Sequence, residues 1–137
     1  MMINKSIMIV IATLLMTSCG DEEKGKLDNR IKDYWSAKIN KDFKTTYQFL
    51  SPGWRKNESE EAYIRRVSKT AVNWLGIEVK EKKCKAVNLC DVIIQVEYEY
   101  QFKGAMSQKM NVASEIDETW LMKDNVWYHI PKLAKIK

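Results

Sequence analysis

The chain has 137 residues, of which 45% are apolar and 30% charged, with a formal charge of +5. That length holds one ordinary core, and that balance excludes a disordered chain or a multi-span membrane protein. Scarce glycine (5) and proline (2) exclude collagen-like or linker-like character, and the single histidine, His129, excludes a His-rich metal site or a His-based catalytic pair.

At the N-terminus Lys5 precedes an apolar run over residues 7–16. The run is shorter than the ~20 residues of a membrane span and suits the h-region of a secretory signal. Leu15-Met16-Thr17-Ser18-Cys19 resembles the bacterial lipobox, with small Thr17 and Ser18 ahead of Cys19 and Met16 where Leu is usual. The resemblance implies a lipoprotein signal peptide over 1–18, cleavage before Cys19, and a diacylglyceryl group on the Cys19 thiol. Acyl chains would then hold the protein on the lipid bilayer, at ~0.8 kcal/mol per buried CH2. An ordinary secretory signal and a retained N-terminal anchor are the alternatives. Residues 19–26 read as a short polar tether, and 27–137 as the folded domain. The implied location is the bacterial cell envelope. Gly20 stands where the familiar inner-membrane signal has Asp, which favours the outer membrane.

In the folded part, Leu27, Ile31, Tyr34, Trp35 and Ile39 recur at helical spacing, with Asp28 or Asn29 as the starting cap. Asp42 caps a second helix with Phe43, Tyr47 and Leu50 inward, and Ser51-Pro52-Gly53 stops it. A third helix opens on the capping-box pattern Asn57-x-x-Glu60 and buries Ala62, Tyr63, Val67, Ala71 and Trp74 before Gly76 ends it. From Ile77 the period becomes two. Strands are expected over 77–86, 91–102, 108–122 and 126–130, with turns at Gly104 and at Lys123-Asp124-Asn125. In the long second strand Val92, Ile94, Val96, Tyr98, Tyr100 and Phe102 share one face. Met110, Val112, Ile116 and Trp120 share a face of the third.

Helices followed by antiparallel strands make an α+β order, with N-terminal helices packed on a curved four-stranded antiparallel sheet. The opening RIKDYWSAKINKDFKTTYQFLSP, and the closing Glu118-x-Trp120, turn, Val126-Trp127-Tyr128, resemble the first helices and last two strands of nuclear transport factor 2-like (cystatin-like) domains. That resemblance implies a cone-like fold and leaves activity open.

Cys84 and Cys90 are spaced wrongly for a redox or haem motif, and no second pair supports zinc. They flank an expected hairpin end, where Cα atoms can approach the ~4.4–6.8 Å of a disulfide. Export would permit the bond. Two unpaired thiols, or a metal role, are the alternatives. Ile77 and Val79 have odd parity and Cys84 even, a mismatch that a bulge between them would reconcile. Lys80, Lys82, Lys83 and Lys85 read as guards of a sheet edge paired with Glu97 and Glu99, or else as a patch for an anionic surface.

Tyr34, Trp35, Trp74, Tyr98, Tyr100 and Trp120 fall on inward faces, as core or as the lining of a pocket. The family resembled includes isomerase-like and cyclase-like enzymes with an Asp or His base in the cone. Asp33, Glu118 and His129 are the nearest catalytic candidates here, though no motif carries the role over to them. Glu118 reads as paired with a basic residue or as a buried acid. The leading functional reading is a non-catalytic lipoprotein that binds an envelope protein or a small apolar ligand. An enzyme with an acid-lined pocket and a structural spacer with a filled core are the alternatives. No cofactor and no nucleic acid is expected.

Overall fold

The computed structural model describes residues 19–104 and 108–132. The signal segment and Leu15 to Ser18 of the lipobox lie outside the described residues. Four helices precede four strands: α1 (Cys19–Ile39), α2 (Phe43–Gln48), α3 (Pro52–Arg55), α4 (Glu60–Val67), β1 (Val72–Ala86), β2 (Leu89–Gln101), β3 (Lys109–Lys123) and β4 (Val126–Ile130). The strands form one antiparallel sheet in the order β1-β2-β3-β4. The α+β class therefore holds.

Helix α1 already begins at Cys19, so residues 20–26, expected as a tether, have helical backbone. Once a helix is nucleated each further residue adds a hydrogen bond at little cost, which carries it through polar sequence. The stripe Leu27, Ile31, Tyr34 and Trp35 is buried as its spacing requires. At the other end Lys41 takes a left-handed φ of 58°. Its N–H donates to Lys38 O at 3.1 Å, and the Asp42 N–H reaches back to Ala37 O at 2.9 Å. This is a Schellman close, with lysine where glycine is usual.

Asp42 caps α2 by accepting from Thr45 N–H at 3.1 Å. Pro52 does not stop a helix; it opens α3 behind the Ser51 cap, in the first turn, where its missing N–H costs nothing. Ser59, not Asn57, caps α4 by accepting from Ala62 N–H at 3.2 Å. This helix ends at Val67, so the expected continuation to Trp74 is wrong. Val72 and Trp74 belong to β1, opposite Tyr100 and Tyr98. Apolar spacing there satisfies a helix, but β-branched Thr70 and Val72 and a long partner strand favour extension.

Strand β1 has register shifts between Trp74 and Gly76, between Val79 and Glu81, and between Cys84 and Ala86. The second is the bulge that the change in parity demands. Beyond it Cys84 faces Cys90 directly, and the two form a disulfide with Cα atoms 3.9 Å apart, just short of the expected span. The strands pair up to Ala86 and Leu89, so the turn is only Val87-Asn88, tighter than expected. Asp124 and Asn125, with φ of 51° and 62°, make the β3–β4 turn, as residues tolerant of positive φ should.

Helix α1 lies against the sheet. Leu27, Ile31, Tyr34 and Trp35 pack with Phe49, Cys90, Val92, Ile94, Val96, Trp120 and Trp127 in one core. Arg30 ties α1 to β4 by donating from Nε to Trp127 O at 3.0 Å, with its guanidinium 4.0 Å over the Phe49 ring. A smaller cluster of Tyr47, Leu50 and Tyr63 joins α2 to α4. The Tyr47 hydroxyl donates to Glu58 O at 2.7 Å, and the Tyr63 hydroxyl donates to Thr46 Oγ1 at 3.0 Å.

The β4 edge is closed by Phe49 to Ser51: His129 N–H donates to Phe49 O at 2.7 Å, and Ser51 N–H donates to His129 O at 2.9 Å. The β1 edge carries the lysines. They pair with neighbours other than Glu97 and Glu99. Lys82 meets Asp28 of α1 at 2.6 Å and Lys85 meets Asp91 at 2.6 Å, while Lys80 and Lys83 pair along β1 with Glu78 and Glu81. Glu99 meets Lys109 instead. The difference is one of register: Lys82 and Lys83 lie opposite Val92 and Asp91, whereas Glu97 and Glu99 lie further along β2, opposite Gly76 and Asn73.

Candidate ligand site

Glu118 of β3 is 3% exposed. The indole N–H of Trp35 donates to its Oε1 and that of Trp120 to its Oε2, each at 3.0 Å. Burial raises the carboxyl above its usual range, against the pull of both indoles and of the Lys38 charge. Two indoles therefore take the place of the basic partner expected for this acid. His129 stands opposite Trp120 on β4. Its ring packs 5.0 Å from Tyr34 and 5.4 Å from Trp120, and its Nδ1 is sealed without a hydrogen-bond partner among the described residues. Burial, helped by the Lys38 charge, pushes this imidazole down to about 3, so it is neutral. Burial also raises the Tyr34 hydroxyl well above the ordinary phenol range, and neighbouring Tyr63 reinforces the effect. Asp33 does not join this cluster. It is exposed on α1, because a residue between Ile31 and Tyr34 on the stripe points away from the sheet.

A second arrangement lies where α1 ends. A cleft of about 260 Å³ is lined by Lys38, Phe43, Tyr63, Arg66, Val72 and Trp74, with Lys41 at its side. Lys38 comes from the last turn of α1 and sits in an aromatic cage. Its Nζ lies 4.1 Å from the Trp35 ring centre, 5.0 Å from Trp74 and 5.4 Å from Tyr34. Such faces attract a cation through the ring quadrupole. Burial pushes the Lys38 ammonium down to about 8, opposed by the Glu118 charge and reinforced by Arg66. Arg66, from the last turn of α4, is gripped by Glu58 through two contacts at 2.8 and 2.9 Å, and its guanidinium lies 5.4 Å from the Tyr63 ring centre. Glu58 is itself steadied by the Trp54 indole N–H at 3.0 Å. A larger open groove of about 680 Å³ runs between α1 and β1, but its lining mixes both signs of charge, and the Asp28–Lys82 pair belongs to it.

No protein-family description matches the chain, and no curated protein matches it. Among solved structures, the chain is similar to the solution structure of a SEC-C motif-containing protein from Rhodopseudomonas palustris. The TM-score is 0.57 at 13% identity, over 74% of this chain and 73% of that one. At that identity the likeness speaks for the α+β fold alone.

Of the residues singled out from sequence, Tyr34, Trp35, Trp120, Glu118 and His129 meet in the sealed cluster. Trp74 bridges to the cleft, 5.2 Å from Trp35 and 5.5 Å from Tyr98. Tyr100 does not reach either arrangement; it pairs with Phe102 at 4.9 Å, further along the sheet. Sequence reasoning missed Lys38, Phe43, Tyr63 and Arg66 as a group. One signal was available: Lys38 falls four residues after Tyr34 and three after Trp35, a lysine on the apolar stripe of its helix. Among the described residues no group of His, Cys, Asp and Glu could hold a metal ion, and no helix is long and apolar enough to cross a membrane.

Proposed function

We propose that the protein is a non-catalytic lipoprotein of the bacterial envelope, anchored through an acylated Cys19, whose domain captures a small ligand with an apolar body in the Lys38–Trp74 cleft. The single observation that carries the binding reading is the cleft itself. It is a concavity close to the lower end of ordinary ligand pockets, about 300 Å³, with aromatic walls and a few polar handles. Its place at the end of α1, over the aromatic end of the sheet, agrees with the cone that the nuclear transport factor 2-like resemblance implies. The anchor rests on the lipobox resemblance, and an outer-membrane location on Gly20 in place of the Asp of the familiar inner-membrane signal.

The isomerase- or cyclase-like alternative ranks below this one. A general base must reach its substrate, whereas both Glu118 oxygens are occupied by indoles and the Nδ1 of His129 is sealed. The spacer alternative accounts for the filled core around Trp35 and Trp120 and leaves the cleft without a purpose.

Calorimetric titration of the full chain with small naphthalene derivatives tests the binding reading. Binding that Trp74→Ala weakens about tenfold or more supports it, that being the loss of roughly one well-packed aromatic contact. No measurable binding of any member of the series would sink it. For the anchor, Cys19→Ala should leave full-length precursor and abolish incorporation of labelled fatty acid; undiminished labelling would refute the assignment.

A further inference from the structure

We infer that the ligand of this cleft carries an anionic head, a carboxylate or a similar oxyanion on an aromatic or apolar body, seated against Lys38 with Arg66 and Lys41 beside it. The inference rests on the binding reading above and goes further by naming the ligand class. Three cations, Lys38, Lys41 and Arg66, line the cleft, and no carboxylate does.

The carboxylates nearby are already committed. Glu58 holds Arg66 and the Trp54 indole, and Glu118 holds two indoles. Among the described residues no carboxylate comes within ion-pair distance of Lys38, whose ammonium lies against the rings of Trp35, Trp74 and Tyr34. This ammonium, with ring faces on one side and an open concavity on the other, has lost part of its hydration without gaining a counter-charge at contact distance, since the indole-held Glu118 carboxylate acts on it only from beyond ion-pair range. An oxyanion entering the cleft would supply that counter-charge, and hydrogen bonds to charged donors are short and strong where water is thinned out.

The walls define the rest of the ligand. Trp74, Phe43 and Tyr63, from β1, α2 and α4, line the cleft together with Ile39, Val67 and Val72, a largely apolar wall that suits a flat or apolar body. Arg66 is fixed in direction by its two-pronged grip on Glu58, which makes it a ready-oriented neighbour for the same head group.

The test compares naphthalene-2-carboxylate with naphthalene-2-carboxamide, a neutral probe of nearly the same shape, by calorimetry on the full chain at pH 7. The carboxylate should bind about tenfold tighter or more, as expected for one charge-assisted hydrogen bond. In Lys38→Met, which keeps an unbranched chain in the aromatic cage, the two probes should bind alike. Equal binding of the two probes to the unaltered chain would overturn the inference while leaving the binding reading in place, and this comparison needs no variant to fold. A preference for carboxylate that survives unchanged in a folded Lys38→Met would also overturn it. Failure of both probes to bind would remove the binding reading and this inference together.

Discussion

Trp120 and Trp74 stand on strands of one sheet and face the same helix. Trp120 is fully buried with its indole N–H on Glu118, whereas Trp74 is half-buried with a cleft in front of it. The difference follows from where α1 stops. Up to Trp35 the helix covers the sheet, and the apolar surface beneath it is packed, with the indoles of Trp35 and Trp120 bonded to Glu118. At Ile39 the helix ends, while β1, β2 and β3 run on to Val72, Gln101 and Lys109. Beyond the helix the apolar face continues through Tyr98, Tyr100 and Phe102 with less and less cover, and Phe102 is 46% exposed. Similar side chains thus make a core at one end and a binding surface at the other. What separates them is whether partners and volume are used up.

Truncating each tryptophan should separate the two ends most clearly. Trp120→Ala should cost about 3–5 kcal/mol, because it opens a cavity in a fully packed region and strips a donor from Glu118. Trp74→Ala should cost about 1–2 kcal/mol, since its ring is already half in water. Urea unfolding of both variants gives the comparison, and equal losses would mean that the sealed end is not sealed.

Glu118→Gln probes the same end with less disturbance. An amide can accept one indole N–H, but its NH2 opposes the other, so one buried donor loses its partner. A destabilisation of about 1–3 kcal/mol is expected. A variant as stable as the parent would show that the carboxylate is not needed where it sits.

The pH dependence of stability tests His129. Its folded value of about 3 lies below the ordinary 6.5, so the folded state resists taking up a proton that the unfolded chain accepts. The stability it contributes is present above pH 6.5 and is lost as pH falls from there toward 3. At roughly 1.4 kcal/mol per pH unit the loss reaches about 2 kcal/mol by pH 5. Glu118, with a raised value, works in the opposite sense and gains stability as pH falls through it. The readout is therefore the difference between the parent and His129→Phe, which keeps a ring between Tyr34 and Trp120. The variant should be the less acid-sensitive of the two, and parallel pH profiles would contradict a buried neutral imidazole.

The smallest effect is expected at the open end. Lys41 holds a left-handed conformation that glycine adopts without strain. Lys41→Gly should raise stability by about 0.5–1 kcal/mol in thermal unfolding. A loss of stability would show that the lysine side chain matters more to the fold than its backbone strain does.

The α1 stripe, the alternation along β2, the bulge in β1, the disulfide and the Asp124-Asn125 turn were all legible in the chain itself. Each depends on residues within a turn of helix or across a short hairpin, where spacing alone decides which side chains share a face. Even there, local pattern was ambiguous between Val67 and Gly76. Helical spacing fits Val67, Ala71 and Trp74, and only the presence of Tyr98 and Tyr100 on a partner strand decides for β1. The candidate site was less legible still. Lys38, Phe43, Arg66 and Trp74 come from α1, α2, α4 and β1, and nothing in their spacing marks them as neighbours. Glu118 looked like an acid in want of a basic partner, and two indoles, one of them eighty-three residues away, took that role. Periodicity is a short-range property of the backbone, so sequence carries it directly. A cleft is the space left when separate elements have packed, and its shape and charge exist only once they meet.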